Sequence, residues 1–408
     1  MQATIPSFQI LQKDPMSIQP VNEEMKKFIH NLLNHMVQNK GSDLFITAGY
    51  PPAMKLDGKL TKITDKPLTA EHTAQIARSI MDEKQAQEFA DTNECNFAIS
   101  LAGVSRFRVN AMIQRGAAAL VCRVITSDIP QFDNLNLPSI LKQVVMEKRG
   151  LVIFVGGTGS GKSTSLAAMI DYRNANSYGH IITIEDPIEF VHPHKNCIIT
   201  QREVGVDTEN WFAALKNTLR QAPDVILIGE IRDRETMDYA LAFAETGHLC
   251  MATLHANNSN QALDRIINFF PEERRAQLLN DLSLNLKGFI SQRLVPKAGA
   301  KGRVAAVEVL LNSPLISELI LRGDIHGVKE IMAKSRDIGM QTFDQSLFDL
   351  YEADLITYDD ALKNADSVND LRLQIQLNSK KTGTAGSGGS IDGLAIVDFA
   401  DEEQKEEQ

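Results

Sequence analysis

Apolar positions near the start of the chain follow a helical period. From Met25 to Val37 they recur at spacings of three and four, which predicts an amphipathic helix that ends at Gly41. Shorter apolar runs across 43–63 predict strands, with breaks at 49–52 and at Asp57-Gly58, the second typical of a hairpin turn. A further helix is expected over 69–90.

The stretch 95–125 is rich in β-forming residues around Gly103 and Gly116, which predicts a small antiparallel sheet. Together with the preceding helices, this gives a small α+β domain over 21–127. Two prolines and several polar residues then indicate a linker over 128–138. Residues 1–20 form a polar lead with three prolines and are expected to be flexible.

Strand and helix patterns alternate in the second half of the chain. Strand-like runs LVIFV, IITIED, DVILIGE and HLCMATLH are separated by helical patterns, including 211–220 and a segment from Arg234. This order predicts an α/β domain over 139–376 with a mostly parallel sheet wrapped by helices. Helical signals dominate from Gln261 onward, over 278–294, 315–333 and 342–365.

Composition supports two folded units with flexible ends. The chain has 408 residues, 43% of them hydrophobic and 23% charged, enough apolar material for two cores. After about Asn378 the run TGTAGSGGS leads to the acidic end DEEQKEEQ, so 377–408 is predicted to be a flexible acidic tail.

Charge and patterning exclude several classes of protein. A net charge of −10 argues against a protein that coats nucleic acid. No apolar run approaches the length of a membrane span, and the N-terminus lacks the pattern of a secretory signal. The four cysteines form no CxxC pair, so neither a zinc knuckle nor a redox motif is suggested. A cytoplasmic location is expected.

A glycine-rich loop supplies the strongest chemical signal. LVIFV runs directly into a segment that fits GxxxxGK[ST] between a strand and a helix: Gly156, Gly157, Thr158, Gly159, Ser160, Gly161, Lys162, Ser163 and Thr164. Its backbone N–H groups would surround the β-phosphate of ATP, Lys162 would reach the β- and γ-phosphates, and the Ser163 hydroxyl would bind Mg2+. The alternative is an ordinary strand-to-helix turn.

Carboxylates should follow neighbouring strands if the loop belongs to a hydrolase. DVILIGE ends at Glu230, which would hold Mg2+, and IITIEDPIEF places Glu185, Asp186 and Glu189 past another strand. Each acid could instead be a helix cap or a solvated edge, and Asp186-Pro187 could be a simple turn.

His248 and His255 bound one further apolar strand, as expected of residues that sense the γ-phosphate. A lone histidine is more often structural.

Four ordered motifs make a resemblance specific. GGTGSGKST, TIEDPIEF, the block ending DVILIGEIRDRETM, and TGHLCMATLHANN resemble the Walker A loop, Asp box, Walker B motif and His box of the secretion and type IV pilus ATPases. The chain is most similar to the retraction (PilT/PilU) branch of that family, and the resemblance covers roughly 21–377.

The resemblance implies both a fold and residue roles. The family has a PAS-like N-terminal domain and a RecA-like P-loop domain, and six chains form a ring with ATP between the two domains. Glu189 would position or deprotonate the attacking water, Glu230 would support Mg2+, and His248 and His255 would couple the nucleotide state to the sheet.

Arginines of such rings neutralise γ-phosphate charge. The N-terminal candidates are Arg106, Arg108, Arg115 and Arg123, and the second domain offers Arg265 and Arg303. Surface salt bridges are the alternative for each.

The sequence differs at several positions from the pattern typical of PilT. No tetracysteine insertion is present, Gly157 replaces the proline typical of PilT, and the PilT motif AIRNL reads LISEL at 315–319. With the acidic tail, these features resemble the accessory (PilU) type of retraction ATPase.

The implied function is an ATPase that retracts type IV pili and drives twitching motility beside a PilT-like ATPase, docked on the membrane platform protein at the inner face of the cytoplasmic membrane. The alternative is a nucleotide-binding adaptor with little motor activity. A RecA-like recombinase or helicase would follow from the fold alone and is disfavoured by the acidic balance.

Overall fold

The computed structural model describes residues 22–56 and 58–381. The predicted N-terminal lead, Asp57 of the predicted hairpin turn, and the tail from 382 onward lie outside the described residues. The described chain contains two β-sheets, one of six strands and one of seven.

The first sheet is antiparallel throughout, as the sequence predicts for this region. Its strand order is β3-β2-β1-β6-β5-β4. The strands are β1 (Asp43–Ile46), β2 (Ala53–Leu56), β3 (Lys59–Lys62), β4 (Glu94–Leu101), β5 (Ser105–Gln114) and β6 (Ala117–Ile125).

Three helices accompany this sheet: α1 (Glu23–Gln38), α2 (Ala70–Ile80) and α3 (Glu83–Thr92). The first is confirmed, and its buried residues lie on one face. The single helix expected over 69–90 is wrong, because two helices cover this region. Met81 adopts an extended conformation, and Asp82 caps α3 in a reciprocal pair with Gln85, so the chain starts a new helix there.

The second sheet has the order β13-β12-β7-β11-β10-β8-β9. All neighbours pair in parallel except β13, which pairs antiparallel with β12 at one edge. The strands are β7 (Gly150–Val155), β8 (Gly179–Glu185), β9 (Cys197–Glu203), β10 (Val225–Ile228), β11 (Leu249–Leu254), β12 (Leu286–Pro296) and β13 (Arg303–Leu311). Every residue of β7 and β11 is buried, as expected for parallel strands covered on both faces.

Helices cover both faces of this sheet, and separate apolar clusters fill the two sides. They are α4 (Ile140–Val145), α5 (Lys162–Asn176), α6 (Trp211–Thr218), α7 (Arg234–Glu245), α8 (Ser259–Asn268), α9 (Glu272–Asn285), α10 (Pro314–Arg322), α11 (Ile325–Lys334), α12 (Phe343–Glu352), α13 (Tyr358–Asn364) and α14 (Val368–Asn378). The last of these extends two residues into the predicted tail, through Asn378.

The helix expected over 278–294 is wrong in its second half. Helix α9 ends at Asn285, and the chain continues as β12, which pairs with β7 on one side and β13 on the other. A strand buried on both faces carries a nearly continuous apolar run, which periodicity alone does not separate from a buried helix. The strands β9 and β13 were likewise not predicted.

Two other helical regions are each divided. The region 315–333 contains α10 and α11, separated at Gly323, which ends α10 in a left-handed conformation with φ +70°. The region 342–365 contains α12 and α13, with Ala353 ending the first and Thr357 capping the second.

The two sheets are joined through the segment after β8. Thr126, just past β6, forms a parallel bridge with Phe190. On β5, Arg106 pairs with Asp207 and Arg108 with Glu203, at 3.4 and 3.8 Å. In the part of the chain that the structure describes, no helix combines the length and apolar character needed to cross a bilayer.

Candidate functional site

The glycine-rich loop connects β7 to α5 at the carboxyl edge of the parallel strands. Gly161 precedes Lys162, the first residue of α5, with φ +91°. Gly156 has φ +157°, and a Cβ there would lie 2.8 Å from the Gln292 carbonyl oxygen. Side chains are therefore excluded at both positions, so the backbone can fold tightly and present N–H groups at the start of a helix.

Lys162 is held in the mouth of this loop. Its Nζ donates to the carbonyl oxygens of Gly156 and Gly157, at 2.7 and 2.9 Å. Burial lowers the pKa of this ammonium group, and nearby Glu230 opposes that effect. Phosphate oxygens are charged and accept hydrogen bonds more strongly than carbonyls, so the lysine is placed to exchange these acceptors for a phosphate.

Other loop residues fit a nucleotide. The Ser160 Oγ is buried and has no hydrogen-bond partner among the described residues, which leaves a hydroxyl available to a ligand. Ser163, the second residue of α5, is exposed. Its hydroxyl is therefore accessible for the predicted role as a metal ligand.

Glu230 lies just past β10 and faces the guanidinium group of Arg232 and the imidazole ring of His255. Its carboxylate accepts from Arg232 Nε at 2.9 Å and lies 3.4 Å from His255 Nε2. Arg232 also contacts Asp186 at 3.2 Å, and its hydrogen bond to Glu230 raises the pKa of the guanidinium. Arg232 thus links the Walker B acid to the Asp box, a role that sequence reasoning missed although Arg232 lies beside Glu230 in the motif.

The Asp-box carboxylates occupy different environments. Glu185 ends β8 and accepts hydrogen bonds from Thr183 Oγ1 at 2.6 Å and Gln201 Nε2 at 3.3 Å. Burial raises the pKa of Glu185 to about 7. Glu189 is exposed, and its backbone contacts the Glu185 carboxylate. Glu185 therefore anchors the loop that carries Glu189.

Strand order sets the distance of each group from the phosphate loop. His255 follows β11, directly beside β7, whereas Glu230 follows the next strand and Glu185 the one after that. At about 4.8 Å between strands, Glu185 lies roughly 14 Å across the sheet from the end of β7. The structure therefore brings Lys162, Glu230 and His255 together and leaves the Asp box farther out.

The structure does not bring His248 to this site. It precedes β11, and Gly150 at the start of β7 donates to its carbonyl. Its ring contacts Thr246 Oγ1 and the Phe243 carbonyl. Six strand residues separate it from His255, so it lies at the opposite edge of the sheet. His248 is therefore not a residue of the phosphate-loop edge in its own chain, and its expected role in coupling the nucleotide state to the sheet stays a prediction.

A cleft of about 710 Å3 opens beside the loop, and Arg265 is the predicted arginine that lines it. Its other lining residues include Gly157, His255, Asn257 and Gln261. The Arg265 guanidinium stacks 5.8 Å from the centre of the Phe269 ring.

The remaining predicted arginines lie elsewhere. Arg123 donates to Asp43 at 2.7 Å within the first sheet, so the structure does not place it with Arg265. Arg115 lies in the β5–β6 turn, and Arg303 begins β13, both exposed. Arg106 and Arg108 contact the edge near β9.

Among the residues that the structure describes, no group of three or more histidine, cysteine or acidic side chains could hold a metal by itself. Mg2+ keeps several waters and is held through one or two protein oxygens and the substrate phosphates. The Ser163 hydroxyl and the Glu230 carboxylate supply oxygens of that kind.

The chain is similar to several known proteins. The model of the family described as "Type II/IV secretion system protein" matches residues 20–344. The "Type IV pilus ATPase PilU" of Pseudomonas aeruginosa is 60% identical over 349 residues, which cover 86% of this chain and 91% of that protein. The "Type IV pilus retractation ATPase PilT" of the same organism is 42% identical over 83% of this chain and 98% of its own length.

Solved structures show the same fold. A crystal structure of the pilus retraction motor PilT with bound ADP matches with a TM-score of 0.77 at 40% identity, covering 85% of this chain and 98% of that one. The ATPase DotB of Legionella pneumophila matches with a TM-score of 0.72 at 27% identity, covering 86% and 96%. The expected RecA-like core with a smaller α+β domain before it is thereby confirmed.

Proposed function

The chain belongs to the type II/IV secretion system protein family, and from that premise we propose that it is an Mg2+-dependent ATPase that powers retraction of type IV pili. The observation that carries this proposal is that Glu230 lies near both Lys162 and His255 at the carboxyl edge of the sheet, beside a cleft that His255 and Gly157 line. The name of the 60% identical PilU supports the accessory role, in which the chain works beside a PilT-like ATPase in twitching motility.

Each residue at the site has a chemical task in this proposal. The loop 156–164 binds the phosphates of ATP, and Lys162 moves from the loop carbonyls to the β- and γ-phosphates. Bound Mg2+ would neutralise developing charge, held by Ser163 and, through water, by Glu230. Glu189 orients or deprotonates the attacking water. His255 contacts Glu230 and in this way responds to whether ATP or ADP is bound.

We place the chain in a hexameric ring at the inner face of the cytoplasmic membrane, in contact with the pilus platform protein. The boundaries 21–127 and 139–376 are kept as the two domains of each subunit. Arg115, Arg123 and Arg303 lie away from the cleft of their own chain. Within a ring, such arginines would act on the nucleotide of a neighbouring subunit.

Replacing the loop lysine tests the proposal. Lys162→Ala removes the cation that neutralises the phosphates, so ATP turnover should fall by at least about 100-fold and pilus retraction should be lost. Lys334→Ala, which alters an exposed lysine on α11, is the matched control. Unchanged turnover and retraction in Lys162→Ala would show that the chain is not this motor.

An adaptor role is the second candidate, favoured by the surface of α10. This helix carries the altered 315–319 segment and exposes Leu315 and Leu321, with relative exposures of 47% and 49%. Exposed apolar side chains of this kind suit a docking face. Retraction should be compared between cells that carry Glu230→Gln and cells that lack the gene. If cells with Glu230→Gln retract pili and cells without the gene do not, the chain is an adaptor. If retraction is lost equally in the two strains, the chain is a motor.

A further inference from the structure

Strand β12 lies directly beside the phosphate-loop strand β7 and directs consecutive side chains to opposite faces of the sheet. Phe289 belongs to the apolar cluster on one face and Ile290 to the cluster on the other. By the same alternation, Ser291 and Arg293 share the face of Phe289, and Gln292 shares the face of Ile290. Three adjacent residues thus point alternately toward two different parts of the molecule.

Gln292 supports the phosphate loop from beneath. Its Oε1 accepts a hydrogen bond from Ser165 Oγ at 2.8 Å, in the first turn of α5. Its Nε2 lies 2.6 Å from the position that a Cβ on Gly161 would occupy, and its carbonyl oxygen lies close behind Gly156. Only 3% of Gln292 is exposed, so these are buried polar contacts made where water cannot replace them.

Ser291 reaches the other side, toward the start of α8. The carboxylate of Glu308 accepts from Ser291 Oγ at 2.9 Å, from Ser259 Oγ at 2.6 Å and from the Ser259 backbone N–H at 2.7 Å. All three residues are at most 1% exposed. Ser259 begins α8, four residues after His255, so the network fixes the helix at the far end of the His255 segment.

Arg293 holds the middle of that segment. Its Nη2 donates to the Asn257 carbonyl at 3.3 Å, and Asn257 lines the same cleft as Gly157 and His255. The guanidinium also pairs with Asp366, between α13 and α14, at 2.6 Å. The strand therefore contacts the loop on one side of the cleft, the His255 segment on the other side, and the C-terminal helices.

We propose that Gln292 and Ser291 are positioning residues that use β12 as a rigid link, with Gln292 setting the phosphate loop and Ser291 with Glu308 setting the His255 segment. In this proposal neither residue contacts the nucleotide directly. This inference rests on the proposed nucleotide site, and its part on Ser291 also rests on the proposed hydrolysis of ATP. The contact of Gln292 with Ser165 is expected to affect the affinity for nucleotide. The hydrogen bonds of Ser291 and Ser259 with Glu308 are expected to affect the rate of turnover.

Two buried substitutions test the first half. Gln292→Met keeps the side-chain volume and removes the acceptor, and Ser165→Ala removes the donor. Each should weaken ADP binding about 5- to 10-fold, which is the effect of one lost buried hydrogen bond. The double variant should weaken binding little more than either single change, because both remove the same contact. Binding of a fluorescent ADP analogue to the full chain measures this directly.

The proposed role of Ser291 and Glu308 predicts a change in kcat rather than in ADP affinity. Ser291→Ala and Glu308→Gln should leave ADP affinity within about twofold and lower kcat several-fold, because they displace the His255 segment rather than the loop. Thr218→Val is the control, since the fully buried Thr218 hydroxyl donates to the Ala214 carbonyl within α6 and has no other partner among the described residues. Thr218→Val should lower the melting temperature without changing ADP affinity or kcat.

Three results would overturn the inference. The first is that a folded Gln292→Met variant binds ADP as tightly as the wild type. The second is that the losses of ADP affinity in Gln292→Met and Ser165→Ala add fully in the double variant. The third is that Thr218→Val, at an equal loss of stability, shows the same loss of ADP affinity or of kcat. Failure of the wild-type chain to bind ADP at all would instead refute the proposed nucleotide site, so the two failures are distinguishable.

Discussion

Glu185 and Glu189 lie four residues apart, and the structure gives them different tasks. Glu185 is only partly exposed and lies against the loop that it anchors, with hydrogen bonds from Thr183 and Gln201. Glu189 stands exposed on that loop. A carboxylate that must meet a bound water needs access to it, whereas one that fixes a loop needs burial and donors. At the residue scale, the burial of each acid therefore decides its role.

The buried acid should make stability depend on pH. The pKa of Glu185 is raised from 4.5 to about 7, so the folded chain binds more protons than the unfolded chain between these values. The contribution of Glu185 to stability is therefore greatest below pH 4.5 and is lost as the pH rises through 7. Glu185→Gln has no such loss. Its unfolding free energy relative to wild type should increase by roughly 2–3 kcal/mol between pH 5 and 8.

Denaturant unfolding of both proteins at the two pH values measures this difference. All other titrating groups are common to the pair and cancel. A difference that stays constant or decreases with pH would contradict the buried, raised-pKa state of Glu185.

The exposed acid should affect turnover instead. Glu189→Gln keeps the shape of the side chain and removes its ability to accept a proton, so kcat should fall about 10²- to 10⁴-fold. The KM for ATP should change little, because Glu189 is not part of the phosphate loop. Steady-state kinetics at saturating Mg2+ gives both constants. Glu209→Gln, at another exposed acid, is the control, and equal kcat in Glu189→Gln and the control would remove Glu189 from the catalytic residues.

At the element scale, β12 shows most clearly how local pattern and tertiary contacts differ. The run from Leu286 to Val295 contains enough apolar residues for a buried helix, but Gly288 allows close approach to β13. A Cβ at Gly288 would lie 2.4 Å from the Leu310 carbonyl oxygen. Strand pairing on both sides outweighs helix propensity in this segment.

Gly288→Ala should therefore destabilise the protein, although alanine favours both regular structures more than glycine does. The contact is with backbone, so β12 and β13 must move apart, at a cost of about 1–3 kcal/mol. Gly327→Ala in α11 is the opposite case, because the added methyl group would meet mainly side-chain atoms. Thermal melts should show a clear loss for the first and a near-neutral effect for the second. Equal effects would contradict the strand packing described for β12.

The sequence predicted what depends on local pattern. The phosphate loop, the strand before it and the helix after it follow from Gly156 to Thr164 alone, and Glu230 follows from the strand that precedes it. Gln292 could not be found this way, because its role depends on β12 lying beside β7, which is a contact distant in sequence. His248 was placed at the site for the converse reason: its position near the motif is visible in the sequence, but the direction of β11 carries it to the far edge.

At the scale of the whole molecule, the two sheets meet through charges. Glu203, at the end of β9, is 3% exposed and lies 3.8 Å from Arg108 of the first sheet. Burial raises the pKa of Glu203, and Arg108 opposes that rise. Arg108 also donates to the Ile188 carbonyl within the Asp-box segment at 3.4 Å. If Arg108 serves as a γ-phosphate arginine, it must first leave these partners, so the contact between the sheets competes with nucleotide contact.

This contact should show strong coupling in a double-mutant cycle. Arg108→Ala leaves Glu203 buried beside fewer cations and should cost about 1–3 kcal/mol, whereas adding Glu203→Gln removes the stranded charge and should restore part of that loss. Hydrogen exchange should rise around β9 and the Asp-box segment in Arg108→Ala and stay unchanged in β7 and β11, which lie away from the contact. Additive losses, or faster exchange throughout the second sheet, would mean that Arg108 acts on general stability rather than on the junction. Arg108→Ala and the double variant differ only in the charge at Glu203. If protection from hydrogen exchange returns in the double variant, the effect therefore lies at the contact between the two sheets.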